Sequence, residues 1–168
     1  MDKKILIYGY GNPGRMDDGL GNRFVEIMEE WAKENKIENV GFDSNYQLNI
    51  EDAENISGYD VVLFVDASEE PIDSFIMTKV DPSDSKIEFT MHAVSCSYIV
   101  DLCIKMYNKS PETYLLHIKG YEWEFEEQIT EKATENLEKS LALVKTILMG
   151  NRSFKEYANA ETPRFWNN

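Results

Sequence analysis

The chain of 168 residues is strongly acidic, because 31 Asp and Glu side chains face only 17 Lys and Arg and give a formal net charge of −14. A chain of this length forms one domain and buries enough surface to fold without disulfides or a structural metal. Its negative field disfavours nucleic acid and anionic lipid, both of which are bound by clustered basic side chains. We therefore expect cations or basic protein segments as partners, and neither nucleic acid nor a membrane.

The cysteines and the N-terminus indicate where the protein acts. Cys96 and Cys103 are the two cysteines, and their number and spacing do not suggest a secreted disulfide framework. The apolar run that follows the first lysines extends only from Ile5 to Tyr8, too short for a signal peptide. No apolar stretch reaches the roughly 20 residues that span a bilayer. The sequence predicts a cytoplasmic protein in which both cysteines are small buried hydrophobes.

Predicted strands and helices alternate along the chain. A continuous apolar run predicts the first strand at 3–8, and apolar side chains at helical spacing predict an amphipathic helix over 19–34. A short strand at 38–43 and a brief helix around 50–56 follow. The clearest strand is 59–66, whose unbroken apolar run is typical of a parallel strand buried on both faces. The later elements are a candidate edge strand at 75–80, a helix at 92–106, a strand at 114–118, and a helix from the N-cap Thr130 to a stop at Gly150.

This alternation predicts an α/β fold, a single-domain three-layer sandwich with a mostly parallel twisted sheet and helices on both faces. The domain is assigned to residues 1–150. The tail at 151–168 either docks on the domain or frays, and the sequence leaves both alternatives open. Its aromatic side chains are Phe154, Tyr157, Phe165 and Trp166.

A glycine pattern follows the first strand. Gly9, Gly11 and Gly14 match G-x-G-x-x-G in the position where dinucleotide-binding proteins carry it. In those proteins the pyrophosphate lies at the N-terminus of the next helix, where backbone amides and the helix dipole favour an anion. Here Asp17 and Asp18 occupy that position. The loop is therefore predicted to disfavour a phosphate and to accept a cation.

Three side chains suited to a metal map to one edge of the predicted sheet. Asp18 follows the first strand, Asp66 ends the central strand, and His92 precedes a helix. Ligands of open parallel sheets bind at the C-terminal ends of the strands. Taken singly, Asp17 and Asp18 are better explained as an N-cap and a first-turn acid. Two carboxylates with one imidazole, however, suit a divalent transition metal and leave room for a substrate or water.

Several segments resemble the nickel-iron hydrogenase maturation endopeptidases. The stretch GYGNPGRMDDGLG at 9–21 is similar to the signature loop of that family, and VVLFVDA at 61–67 is similar to its second element. His92 resembles the family's histidine at the start of a helix. The stretch NYQLNIEDA at 45–53 is similar to a segment of the branch associated with bidirectional or cofactor-linked hydrogenases. The resemblance extends over residues 4–149.

The resemblance implies an endopeptidase that removes a C-terminal extension from the hydrogenase large-subunit precursor after nickel insertion. Members are thought to recognise the nickel of the substrate through two carboxylates and a histidine, which correspond to Asp18, Asp66 and His92. These three residues are then both metal ligands and catalytic residues of an aspartic-type endopeptidase. The resemblance further implies nickel supplied by the substrate and the large-subunit precursor as partner. We expect a metal-free resting enzyme and a monomer, although the sequence leaves the oligomeric state and the resting metal content open. Asp17 is expected to cap the helix or to orient a neighbour.

Other chemistries remain open. His92 and Cys96 lie four residues apart, so one helix would place them on the same face as a nucleophile dyad or a soft metal pair. A cysteine in an amphipathic helix is more often a small buried hydrophobe. His117 lies in a predicted strand and is expected to be a packed or edge residue. The alternative to an enzyme is a non-catalytic acidic α/β binding module, a nucleotide sensor or assembly chaperone that uses the glycine loop.

Overall fold

The computed structural model describes residues 2–82 and 94–158. Its five strands are β1 (Ile5–Tyr10), β2 (Val40–Asn45), β3 (Val61–Ser68), β4 (Phe75–Lys79) and β5 (Glu112–Lys119). They form one sheet in the order β2-β1-β3-β5-β4, and every neighbouring pair is parallel except β4 with β5. The predicted mostly parallel sheet is confirmed, with β4 as its antiparallel edge strand.

Helices cover both faces of the sheet. They are α1 (Leu20–Glu34), α2 (Asp52–Ile56), α3 (Cys96–Tyr107) and α4 (Glu131–Met149), with short 3-10 helices at Met16–Gly19 and Phe154–Glu156. One core cluster joins the sheet to α1 and α4, and a second joins the opposite face to α2 and α3. The predicted single-domain three-layer α/β sandwich is therefore confirmed. None of the helices formed by the described residues has the length and apolar character that crossing a membrane requires.

The central strand β3 explains why both faces are needed. Leu63 and Val65 pack towards α1 and α4, whereas Val62 and Phe64 pack towards α2 and α3. All four side chains are fully buried. Because apolar layers cover both sides, β3 is an unbroken apolar run rather than an alternating one. The strand becomes polar at Asp66, at the C-terminal edge of the sheet.

Helix α1 lies very close to the sheet, and glycines make this approach possible. A Cβ on Gly9 would overlap the carbonyl oxygen of Gly21, and a Cβ on Gly21 would overlap the carbonyl oxygen of Val65. Gly11 has a φ of +148°, and a Cβ there would overlap the carbonyl oxygen of Asp18. The glycine pattern therefore brings the start of α1 onto the ends of β1 and β3.

Helix α3 begins at Cys96, four residues after the predicted start at His92. Ser95 has extended backbone, and its hydroxyl accepts a hydrogen bond from the Tyr98 amide at 3.1 Å, which makes it the N-cap. Residues 94 and 95 are not helical. His92 lies outside the described residues, and with it the expectation that His92 and Cys96 share one helix face.

The first part of the tail packs on the domain. Phe154 is 3% exposed, and its ring centroid lies 5.9 Å from that of Tyr114. The tail therefore contributes to the core cluster under α1 and α4. Of the other aromatic tail residues, Phe165 and Trp166 lie outside the described residues.

Candidate active site

Two of the three predicted site residues lie together at the C-terminal edge of the sheet. Strands β1 and β3 are adjacent and parallel, with Gly9 paired with Val65, so the loops that follow them leave the sheet side by side. Asp18 lies in the 3-10 helix after β1, and Asp66 lies near the end of β3. Both side chains are half-buried. They are close enough for the charge of Asp18 to act on Asp66.

Asp66 is held in an environment that disfavours its charge. Burial, and after it the negative charge of Asp18, raises the pKa of Asp66 from 3.8 to about 8. Hydrogen bonds from the Ala67 amide and the Tyr10 hydroxyl oppose this shift of the pKa. A divalent cation between the two carboxylates would remove their repulsion and lower the pKa of Asp66 again. The donor set therefore fits a divalent metal ion.

The glycine loop orients Asp18 and uses its own amides to do so. The Asn12 amide donates to Oδ2 of Asp18 at 3.0 Å, and the Gly14 amide donates to Oδ1 of Asn12 at 2.9 Å. In a phosphate-binding loop such amides point at the ligand. Here loop side chains accept these hydrogen bonds, so the loop does not favour the nucleotide-sensor alternative.

Asp17 has a structural role that the sequence did not reveal. The residue is fully buried, and the N-cap of α1 is Gly19, so the expectation that Asp17 caps this helix is wrong. The reason is that the 3-10 helix intervenes before α1 begins. The carboxylate instead holds a loop that is distant in sequence. It accepts four hydrogen bonds of 2.7 to 3.1 Å, from the amides of Tyr121, Glu122 and Thr130 and from the Thr130 hydroxyl.

Tyr10 is a site residue that the sequence reasoning missed. It is the last residue of β1, and its hydroxyl lies 3.5 Å from Sγ of Cys96 and is close enough to Asp66 to lower the pKa of that carboxyl. Cys96 and Cys103 are both buried and free, as predicted. Burial raises the pKa of the Cys96 thiol to about 12, so this group is not an activated nucleophile. The sequence feature that could have pointed to Tyr10 is its position between Gly9 and Gly11 at the end of the first strand.

Of the two histidines, His117 is among the described residues and His92 is not. His117 is 6% exposed, as expected of a packed residue, and its Nε2 lies 3.0 Å from Oγ1 of Thr78. Burial lowers the pKa of His117 to about 4. Within residues 2–82 and 94–158, no group of three or more His, Cys, Asp or Glu side chains is arranged to hold a metal. The third predicted ligand, His92, lies outside those ranges, so the described site consists of the two carboxylates.

Comparisons with known proteins found similar solved structures. No protein-family model and no curated protein sequence matches the chain. Among solved structures, a [NiFe] hydrogenase maturation protease HycI from Thermococcus kodakarensis is similar with a TM-score of 0.69 and 22% identity, over 88% of this chain and 94% of that chain. The hydrogenase maturating endopeptidase HybD from E. coli gives a TM-score of 0.71 and 16% identity, over 88% and 93%.

A third similar structure comes from an archaeon. The hydrogenase 2 maturation peptidase from a Thaumarchaeota archaeon gives a TM-score of 0.62 and 18% identity, over 87% of this chain and 98% of that chain. Each similarity covers nearly the whole of both chains, although few residues are identical. The chain therefore has the fold of the [NiFe] hydrogenase maturation proteases, as the sequence resemblance implied.

Proposed function

We propose that the chain is an endopeptidase that removes a C-terminal extension from the large-subunit precursor of a nickel-iron hydrogenase after nickel insertion. The observation that carries the proposal is the carboxylate pair at the C-terminal edge of the sheet. Burial, and after it the negative charge of Asp18, raises the pKa of Asp66, and a divalent cation would relieve the repulsion between the two carboxylates. The shared fold with proteins named as hydrogenase maturation proteases supports the same conclusion.

In this proposal the nickel is part of the substrate and the resting enzyme needs no metal of its own. Asp18 and Asp66 bind the nickel of the precursor, and His92 is the third ligand. Asp18 is prepared for this role because the Asn12 amide already holds one of its carboxylate oxygens. Nickel bound there would polarise the carbonyl of the scissile peptide bond or activate a water. A precursor without nickel then lacks the group that these side chains recognise.

The cysteines indicate the compartment of the proposed reaction. Cys96 and Cys103 are buried free thiols, which suits a reducing compartment, so we place the reaction in the cytoplasm. A single copy of the chain carries the carboxylate pair, and we propose that the enzyme acts as a monomer. Its partner is the hydrogenase precursor, and neither nucleic acid nor a membrane is required.

The proposal is tested by mass spectrometry of the cognate precursor before and after incubation with the protein. We expect the nickel-loaded precursor to be shortened and the nickel-free precursor to stay intact. Asp18→Asn, Asp66→Asn and His92→Ala should each slow the cleavage by about 100-fold or more, because each removes a proposed ligand. Asp60→Asn is the matched control, because Asp60 is exposed and directly precedes β3, at the end of that strand opposite to Asp66.

Two results would overturn the proposal. One is undiminished cleavage by the Asp18 and Asp66 variants, and the other is equal cleavage of nickel-loaded and nickel-free precursor. A nucleotide that protects the protein against thermal unfolding, together with an unchanged precursor mass, would instead support the binding-module alternative.

A further inference from the structure

The hydroxyl of Tyr10 lies between the carboxylate of Asp66 and the first residue of α3. Because Gly9 pairs with Val65 in the β1–β3 register, Tyr10 and Asp66 are the next residues along two adjacent strands and lie on the same face. The Tyr10 hydroxyl lies 3.5 Å from Sγ of Cys96 and is close enough to the Asp66 carboxylate to influence its pKa. One side chain therefore connects a proposed nickel ligand to the start of a helix.

Packing fixes the ring of Tyr10 in this position. The ring lies edge-on to the Phe64 ring, with 6.3 Å between the centroids and an interplanar angle of 74°. Phe64 is fully buried in β3, two residues before Asp66 and on the same face. The hydroxyl is thus held at its place by a rigid part of the core rather than by a mobile loop.

The direction of the hydrogen bonds follows from the chemistry of the three groups. A carboxylate that binds a metal is ionised, and its oxygens only accept hydrogen bonds. The Tyr10 hydroxyl must then donate its proton to Asp66, which leaves the hydroxyl oxygen to accept from the Cys96 thiol. The result is a directed chain from Cys96 through Tyr10 to Asp66.

We propose that Tyr10 is a positioning residue, whose hydroxyl fixes the orientation of the Asp66 carboxylate beside Asp18 and links it to the start of α3 through Cys96. The part of this proposal that concerns cleavage rests on the proposed function. Outer-shell partners of metal ligands typically change metal affinity or activity by about 10- to 100-fold when they are removed. We expect an effect of this size from loss of the Tyr10 hydroxyl.

The chain contains a closely matched control for this experiment. Tyr8 lies on the same strand and face as Tyr10, and its ring is edge-on to Phe64 at a centroid distance of 5.7 Å. Its hydroxyl also donates to a carboxylate, Oδ2 of Asp52 at 2.9 Å. Asp52 belongs to α2 and is not part of the proposed site. Tyr8→Phe therefore removes a comparable hydrogen bond without touching the carboxylate pair.

The test compares Tyr10→Phe with Tyr8→Phe. Titration calorimetry with Ni²⁺ alone should show a loss of affinity of about 10- to 100-fold for Tyr10→Phe and none for Tyr8→Phe. With nickel-loaded precursor, Tyr10→Phe should lower kcat/KM by a similar factor, because the nickel of the precursor is the group that the carboxylates bind. Cys96→Ala should cause a smaller loss of Ni²⁺ affinity, and Cys96→Ser should restore it because a hydroxyl also donates. Equal Ni²⁺ affinity and equal kcat/KM in the two tyrosine variants would overturn the proposal.

A second measurement separates this proposal from the proposed function. Tyr10→Phe is introduced into the wild-type chain and into an Asp66→Ala background, and urea unfolding midpoints are compared. If Tyr10 holds Asp66, the shift caused by Tyr10→Phe is smaller in the Asp66→Ala background. Equal shifts in both backgrounds would contradict the positioning role even if precursor cleavage is confirmed. Unequal shifts would support it even if the protein cleaves no precursor and does not bind Ni²⁺ alone.

Discussion

At the residue scale, two consecutive acids have separate roles. Asp17 is fully buried and its partners lie in the loop after β5, whereas Asp18 is half-buried beside Asp66. The sequence located both acids at a helix start but could not distinguish them. The partners of Asp17 are 104 to 113 residues away along the chain, and no local pattern contains them.

We expect Asp17→Asn to lower the free energy of unfolding by about 3 kcal/mol. Both oxygens of Asp17 accept hydrogen bonds, and the amide group of asparagine would place a donor against backbone donors. Urea unfolding measures the loss. Asp18→Asn is the control, because its neighbour Asp66 repels the charge that this change removes. Equal losses for the two variants would contradict the role assigned to Asp17.

A second prediction at this scale concerns His117 and the dependence of the free energy of unfolding on pH. Burial lowers its pKa from 6.5 to about 4, so between these values the unfolded chain binds a proton that the folded chain does not. Its contribution to stability is complete above about pH 6.5 and is lost as the pH falls towards 4. Between about pH 7.5 and pH 5 we expect a loss of about 2 kcal/mol from this group.

The control for this prediction is His117→Gln, which lacks the titrating group. The difference in unfolding free energy between wild type and variant, measured in urea at several pH values, isolates His117 from the many carboxylates. The range stays above the isoelectric point of about 4.5, where the net charge vanishes. A difference that does not change with pH would show that His117 is not the group responsible.

At the element scale, periodicity predicted which strands and helices form more accurately than it predicted the residues at which they begin and end. The predicted strands match all five strands of the sheet, yet the first strand is two residues later than predicted and runs from Ile5 to Tyr10. Helix α3 starts at Cys96 because the hydroxyl of Ser95 bonds an amide three residues on. A capping bond and the packing of a strand against its neighbours are decided by single contacts, which an average over a window of residues does not detect.

The glycine pattern gives a prediction at the scale of α1. Gly9→Ala should lower the free energy of unfolding by about 3 kcal/mol, because its Cβ would overlap backbone atoms of Gly21 and push α1 off the sheet. Gly14→Ala is the control within the same motif, since a Cβ there lies 3.2 Å from Oδ1 of Asn12, a side-chain atom that can move. Thermal unfolding of both variants measures the difference. If Gly14→Ala were as damaging as Gly9→Ala, helix packing would not explain the pattern.

At the scale of the whole molecule, the strand order of the sheet determines which acidic side chains lie close together. The formal charge of −14 is spread over the chain, and most acids lie on exposed positions. The order β2-β1-β3-β5-β4 makes β1 and β3 neighbours, so the segments that follow them share one edge of the sheet. This arrangement brings Asp18 and Asp66 together although 48 residues separate them in sequence. It also places Tyr10 between the second carboxylate and α3.

The sequence by itself determined the α/β class, the alternation of elements, the buried cysteines and the two carboxylates at the C-terminal edge. These follow from apolar periodicity and from the rule that loops after parallel strands meet at one edge, which depend on local pattern. Only the tertiary structure decided that Asp17 holds a distant loop, that Asp66 has a raised pKa and that Tyr10 contacts it. Each of these properties depends on contacts between residues far apart in the chain, and such contacts exist only once the sheet and its helices have packed.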